Sequence, residues 1–402
     1  LKQTKWFFSN IYYMKIITPK TSIFQFLPHD LLPLCGHTKI KYHNANLKTA
    51  YLIDIIHHMI LKYYFRDDNR FNISATIFKE KYGKIYNYYM EYLCDKGMIR
   101  LVKNYNCGKN SKVYALADYI IDGKITRYYN TDTVLLKKHN KRMAAYESSY
   151  DDGLIDRDVR IKLIENLYSV NIDVEAAMYY LNNIVHSVDA YNKNVYSVES
   201  IKNLHIFYHF DGYGRMHTNF TILKSHIRKN YLQIDGQELM ELDINNSQPL
   251  FLTKIIDETI LNGVDDDEFR LFKYLTQTGN LYQYIIDNSK KSAKSEVKKL
   301  TYKVLFGKNY PNMNDAIFNY LFPTIHQFIK NYKYRHKNHK ILSHQLQKLE
   351  SNLIYNVIIK EVMAINPDIK FVTIHDSILF PKKYEAIVSK VFNDNIKKEF
   401  DI

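Results

Sequence analysis

An α+β fold is predicted by three features of this 402-residue chain. Two short apolar runs with strand character end in aspartates, Asp243 and Asp376. Between them a helix carries Lys294, Lys298, Tyr302 and Phe306 at every fourth residue before Gly307. Well ahead of both, the pattern reads as three helices followed by a strand pair.

Residues 1–45 give mixed signals, because Pro19, Pro28 and Pro33 interrupt any long element, and an irregular lead-in is expected there. Over 46–122 the pattern sharpens. Periodicity predicts a helix over 47–66, a short helix after Ser74 as N-cap, and a helix over 84–96 stopped by Gly97. Strand-like runs at 98–103 and 112–117 flank a turn with Asn106, Gly108 and Asn110. Three helices and a hairpin in this order resemble a winged helix. In such a fold the third helix would offer Lys84, Asn87, Tyr88 and Glu91 to a DNA groove, and Lys103, Lys109 and Lys112 on the wing would meet phosphates. A packing or protein-contact module on the same frame stays open.

Residues 123–204 read as a helical, thumb-like or connecting region, with helices over 159–168 after Asp158, 174–185 after Asp173 and 198–204 after Ser197. Asp151, Asp152 and Asp156 around Gly153 read as a surface turn, since no strand or partner carboxylate frames a metal site there. From 205 to 402 strand-like and helical segments alternate.

A net charge of +14 fits a protein that works on a polyanion, although charge alone identifies no partner. The 3 cysteines lack metal-ligand spacing and build no disulfide framework, which fits reduced thiols in a cytoplasmic or similarly reducing compartment. His57-His58 reads as partly packed surface and not as a zinc site. No run approaches ~18 consecutive apolar residues, so neither a transmembrane helix nor a membrane partner is expected. The first residues lack the apolar core and cleavage site of a signal peptide. The start at Leu1 leaves an upstream segment open, and a monomer is expected.

The chemistry rests on the aspartates. Phosphoryl transfer to a hydroxyl is assisted by two Mg2+ ions about 3.5–4 Å apart when two carboxylates bridge them. Residues 239–244 read as a strand ending at Asp243, and 371–374 as another ending at His375-Asp376. If these strands are neighbours in one sheet, both carboxylates reach one point. A four-residue period drifts slowly around a helix, so Lys294, Lys298, Tyr302 and Phe306 form one slanted stripe. Lysines at its start suit triphosphate oxygens, and the rings further on suit a sugar and base. Each motif alone has a plain structural reading, as a turn-capping aspartate or a solvated Lys-rich helix. Their combination points to template-directed nucleotide polymerisation.

Order and spacing over residues 205–402 resemble the family A DNA polymerases, of bacterial DNA polymerase I type, and the related phage-type single-subunit RNA polymerases. Their fingers helix carries a basic residue, a lysine, an aromatic residue and Tyr-Gly at four-residue steps. This chain has Lys294 where Arg is usual and Phe306 where Tyr is usual. Tyr213-Gly214-Arg215 with Ile227-Arg228 is similar to the segment ahead of the first carboxylate, and Gln347 resembles the glutamine of a helix before the last motif.

The resemblance implies a right-hand palm and fingers. It implies that Asp243, Asp376 and the backbone carbonyl of Ile244 hold two Mg2+ ions, with Mn2+ as a substitute. Lys298 would contact the α-phosphate and protonate pyrophosphate, Lys294 the outer phosphates, and Tyr302 and Phe306 the nucleotide and templating base. Arg215, Arg228 and Gln347 would lie along the primer–template duplex, with His375 near the primer terminus.

Departures bear on the sugar. Gln248 stands where the DNA polymerases place a Glu against a 2′-hydroxyl; its bulk and the missing hydroxyl of Phe306 favour deoxynucleotides, whereas His375-Asp376-Ser377 is the RNA polymerase form. The short span from Gly307 to Asp376 implies reduced fingers, and the lack of a strand-borne Asp-x-Glu motif implies no proofreading. The expectation is a compact DNA polymerase of the kind carried by viruses or mobile elements. A single-subunit RNA polymerase or primase is one alternative. A winged-helix DNA-binding replication or regulatory protein with an inactive palm is another.

Overall fold

Prolines and capping residues set the early element boundaries. The computed structural model describes residues 22–66, 69–106, 111–149, 153–259, 263–289, 293–309 and 313–402. Their fold is α+β, in two units: residues 1–150, 172–205 and 222–224 form one, and residues 151–171, 206–221 and 225–402 the other.

In the first unit β1 (Ile23–Pro28) is followed by a 3-10 segment (His29–Gly36) that contains Pro33, then by a hairpin of β2 (Lys39–Tyr42) and β3 (Ala45–Lys48). The expected irregular lead-in is therefore corrected from Ile23 onward. Pro28 ends a strand and Pro33 sits in a short 3-10 piece, so neither breaks an element. Residues 1–21 of that lead-in lie outside the described residues.

Helix α1 (Thr49–Arg66) buries Leu52, Ile53, Ile55, Ile56 and Met59 in a core shared with Phe71, Tyr89, Leu93 and Leu116. His57 of the same helix is buried as well, which corrects its reading as partly packed surface. Then come β4 (Phe71–Ile73), α2 (Ala75–Tyr82), α3 (Tyr86–Asp95), β5 (Ile99–Lys103) and β6 (Lys112–Leu116), with the strands ordered β4-β6-β5 and antiparallel. Ser74 caps α2 by accepting from the Ile77 amide at 3.5 Å. Gly97, at φ 64, follows α3 in a backbone conformation that glycine adopts without strain. Cys107, Gly108, Lys109 and Asn110 of the expected turn lie outside the described residues.

Asp54 of α1 is buried yet fully engaged: Gln25 Nε2 donates to it at 2.7 Å, Tyr82 Oη at 2.6 Å, and Lys81 Nζ lies at 2.6 Å. Burial opposes its ionisation, but Lys81 and Tyr82 outweigh that and hold the carboxyl below its ordinary range. Beyond α4 (Asp118–Ile121), β7 (Ile125–Asn130) pairs with β1, and α5 (Thr133–Ser149) follows.

The chain enters the second unit through α6 (Arg157–Leu167) and β8 (Val170–Ile172), then returns with α7 (Val174–Ile184) and α8 (Val188–Lys202). Asp173 caps α7 as expected, but α6 is capped by Asp156 and α8 by Ser187. Ser197 is inside α8, where its hydroxyl bonds back to the Lys193 carbonyl at 3.2 Å. A helix beginning at 198 is thus corrected to one that begins ten residues earlier.

The second unit continues with a hairpin of β9 (Tyr208–Phe210) and β10 (Met216–Thr218), then α9 (Asn219–Ile222), α10 (Ser225–Tyr231), β11 (Leu232–Ile234) and β12 (Gln237–Asp243). Helices α11 (Ser247–Glu258), α12 (Asp266–Gln277), α13 (Leu281–Asp287), α14 (Lys294–Phe306), α15 (Met313–Leu321), α16 (Pro323–Arg335) and α17 (Ile341–Ser351) follow. A π-helical stretch (Asn352–Ile359) carries α17 into α18 (Lys360–Ile365), and β13 (Val372–Ile374), β14 (Ser377–Pro381) and α19 (Glu385–Phe400) complete the chain. The sheet runs β13-β14-β12-β11-β8. Its interior strand β14 is buried along its whole length, as its continuous apolar run Ile378–Leu379–Phe380 requires.

Candidate active site

Strand pairing brings the two aspartates together. β12 and β14 are antiparallel, with Asp243 opposite Ser377, and β13 pairs with β14 so that Ile374 faces Ser377. His375 and Asp376 are the two residues of the intervening turn. Asp376 therefore stands next to the residue that faces Asp243. His375 takes the turn at φ 54, a left-handed conformation uncommon for a residue with a Cβ.

Both aspartates line a cleft of about 570 Å³. Glu241, Asp243, Ile244 and the His375–Asp376–Ser377 turn form its base. One side is made by Lys294, Lys298 and Tyr302 of α14 with Tyr282 of α13, and another by Arg228 and Lys229 of α10. Helix α14 is oriented by its apolar stripe, since Val297, Leu300, Thr301, Val304 and Leu305 are buried. The opposite stripe is left to the cleft. Along it Lys298 Nζ sits 5.6 Å from the centre of the Tyr302 ring, which stacks on Phe306 with centroids 5.3 Å apart.

The cleft separates charge. Burial, then the nearby Glu350 and Asp243 carboxylates, raise the Asp376 carboxyl to about 7. Burial and the cations Arg215 and Arg228 lower His375 to about 4, so its imidazole is neutral at neutral pH. Its Nδ1 is buried without a hydrogen-bond partner. Glu241 shares a strand face with Asp243, lies 3.3 Å from Lys229 Nζ, and reaches the Ser377 hydroxyl at 3.1 Å.

Behind this cleft lies a second polar group, centred on Glu350 of α17. Only 1% exposed, it is met by Arg215 Nε at 2.8 Å, Ser247 Oγ at 2.6 Å and Gln248 Nε2 at 2.5 Å. The structure thus gathers Asp243, Ile244, Asp376, His375, Lys294, Lys298, Tyr302 and Arg228 in one cleft. Arg215 and Gln248 are instead held by Glu350, with Gln248 only 4% exposed, and neither lines the cleft. Phe306 stacks on Tyr302 outside the lining, and Gln347 is half-buried on α17.

No family model matches the chain, and no curated protein resembles it significantly.

Glu241, Lys229 and Tyr282 are among the cleft residues that escaped the sequence reading. Glu241 carried a signal, the two-residue spacing to Asp243 on one strand. Lys229 and Tyr282 carried none, because what makes them part of the cleft is the packing of α10 and α13. The donors on offer are hard oxygens, from Asp243, Asp376 and Ile244, and these suit Mg2+. Among the described residues no three His, Cys, Asp or Glu side chains form a ready cage for a cation. No described helix is long and apolar enough to cross a membrane.

Proposed function

We propose that the chain is a template-directed nucleotidyltransferase, a compact family A-type DNA polymerase without proofreading. The observation that carries this reading is the convergence of Asp243 and Asp376, remote in sequence, opposite the Lys294–Lys298–Tyr302 face of α14. A palm built on the β12–β14 sheet, with reduced fingers built on α14, is the corresponding architecture.

In this reading Lys294 and Lys298 receive the triphosphate of an incoming nucleotide, and Tyr302 supports its sugar and base. Lys298 delivers a proton to the departing pyrophosphate. Asp243, Asp376 and the Ile244 carbonyl would hold the divalent cations, and Arg228 and neutral His375 line the path of the primer strand. When bound, two Mg2+ ions would supply activation of the primer hydroxyl and neutralisation of the leaving group. The raised Asp376 supports this assignment, since a buried carboxyl among other carboxylates gains most from a nearby cation.

The first unit supports a DNA partner. Its order α1-β4-α2-α3-β5-β6 with a three-stranded antiparallel sheet would suit a winged helix, in which Lys84 would face a groove and Lys103 and Lys112 would meet phosphates.

Primer extension tests the proposal, with DNA and RNA templates and each nucleotide pool supplied in turn. Magnesium-dependent incorporation of deoxynucleotides is expected, and its loss, with duplex binding kept, in both Asp243→Asn and Asp376→Asn. Incorporation of ribonucleotides alone, or initiation without a primer, would move the assignment to an RNA polymerase or primase. Wild-type protein that binds duplex and incorporates nothing would leave a DNA-binding protein with an inactive palm.

A further inference from the structure

From Ala316 to Leu349 the chain contains six Lys or Arg, four His and no Asp or Glu. Helix α16 ends inside this stretch. Its end is closed by the Asn338 amide donating to the Lys333 carbonyl and the Lys337 amide to that of Tyr334. In that closure one residue takes a left-handed backbone, and glycine or asparagine usually fills it. Here it is Lys337, at φ 50. A long cationic side chain at a position that favours glycine suggests use of the charge.

The turn is tied to the nucleotide-facing helix. Lys333 is buried, and its ammonium donates to the carbonyls of Val304 and Gly307 at 2.6 and 2.8 Å, covering the C-terminal end of α14. Asn309 Nδ2 donates to the Lys330 carbonyl at 3.0 Å. Between these ties opens a pocket of about 430 Å³ whose lining includes Tyr334, Arg335, Lys337 and His339. Tyr334 is 81% exposed, and no carboxylate pairs with Arg335 or Lys337 among the described residues.

We infer that this pocket binds single-stranded nucleic acid, with the Tyr334 ring as a stacking surface and Arg335 and Lys337 on phosphates. Cations beside an exposed ring match a strand whose bases are free to stack, whereas a duplex hides base faces and offers only phosphates. Charge complementarity selects a polyanion, and the ring selects one with flat apolar groups. The inference goes beyond the proposed catalysis and requires nothing of Asp243 or Asp376.

The test is fluorescence anisotropy with labelled oligothymidylate and, separately, a blunt DNA duplex. Arg335→Gln/Lys337→Gln is expected to weaken oligothymidylate binding at least tenfold and to lower its salt slope by about 1.4, at about 0.7 per phosphate contact. Tyr334→Ala should weaken it about tenfold, with Tyr334→Phe restoring it. Blunt-duplex affinity should stay within twofold, and thermal melts of these surface variants should match wild type. Unchanged oligothymidylate affinity, an equal loss on blunt duplex, or capture of anionic vesicles or polyglutamate in place of the oligonucleotide overturns the inference. Primer extension reports separately on the cleft: a chain that extends no primer but loses oligothymidylate through these substitutions keeps this site and loses the polymerase reading.

Discussion

Asp376 sits where its ionisation is costly. Its folded value of about 7 lies above the ~3.9 of an unfolded aspartate. Its contribution to stability is therefore complete below about pH 4 and is lost as pH rises through about 7. Asp376→Asn should accordingly melt together with wild type near pH 4 in chelator and above it at pH 8, by on the order of 4 kcal/mol. Parallel melting curves at both pH values would contradict the burial of the charge. Lys298→Ala makes a different prediction, a slowing of incorporation by about 10²–10⁴ in single-turnover kinetics, the range for lost proton transfer. A loss of tenfold or less would remove Lys298 from the acid role. At this scale the sequence was informative where spacing is local: the stripe on α14 follows from a four-residue period alone. It placed Arg215 on a duplex and Gln248 beside the sugar, and gave no sign of their shared partner Glu350, which lies more than a hundred residues away.

Among elements, α17 and α11 are joined through Glu350, which takes Arg215 on one oxygen and Ser247 and Gln248 on the other. Glu350→Ala would leave Arg215 poorly exposed and without its counter-charge. A loss of about 3–5 kcal/mol in denaturant unfolding is expected, and a loss under 1 kcal/mol would mean that water replaces the pair. Helix starts were legible where a cap is a side chain reaching its own next turn, as at Ser74 and Asp173. Ser197 misled because the same hydroxyl can satisfy itself inside a helix. Strand β1 was hidden because it is completed by β7, about a hundred residues on, and pairing at that distance leaves no local periodicity.

For the molecule as a whole, the excess of 56 Lys and Arg over 42 Asp and Glu acts on any polyanion it meets. If some 6–10 phosphate contacts hold a duplex, affinity should fall about 10³–10⁵-fold between 50 and 200 mM salt. Filter binding across that range checks it, and a flat profile would exclude phosphate contact as the main hold. The sequence reading required strands 239–244 and 371–374 to be neighbours; instead β14 lies between β12 and β13, and its pairing with both brings Asp243 and the His375–Asp376 turn together. That pairing also limits how the gene can vary. Side chains alternate along β12, so one codon inserted just before Asp243 would turn its carboxylate to the far side of the sheet. Two inserted codons would turn it back. Natural length variants of β12 should therefore differ by even steps.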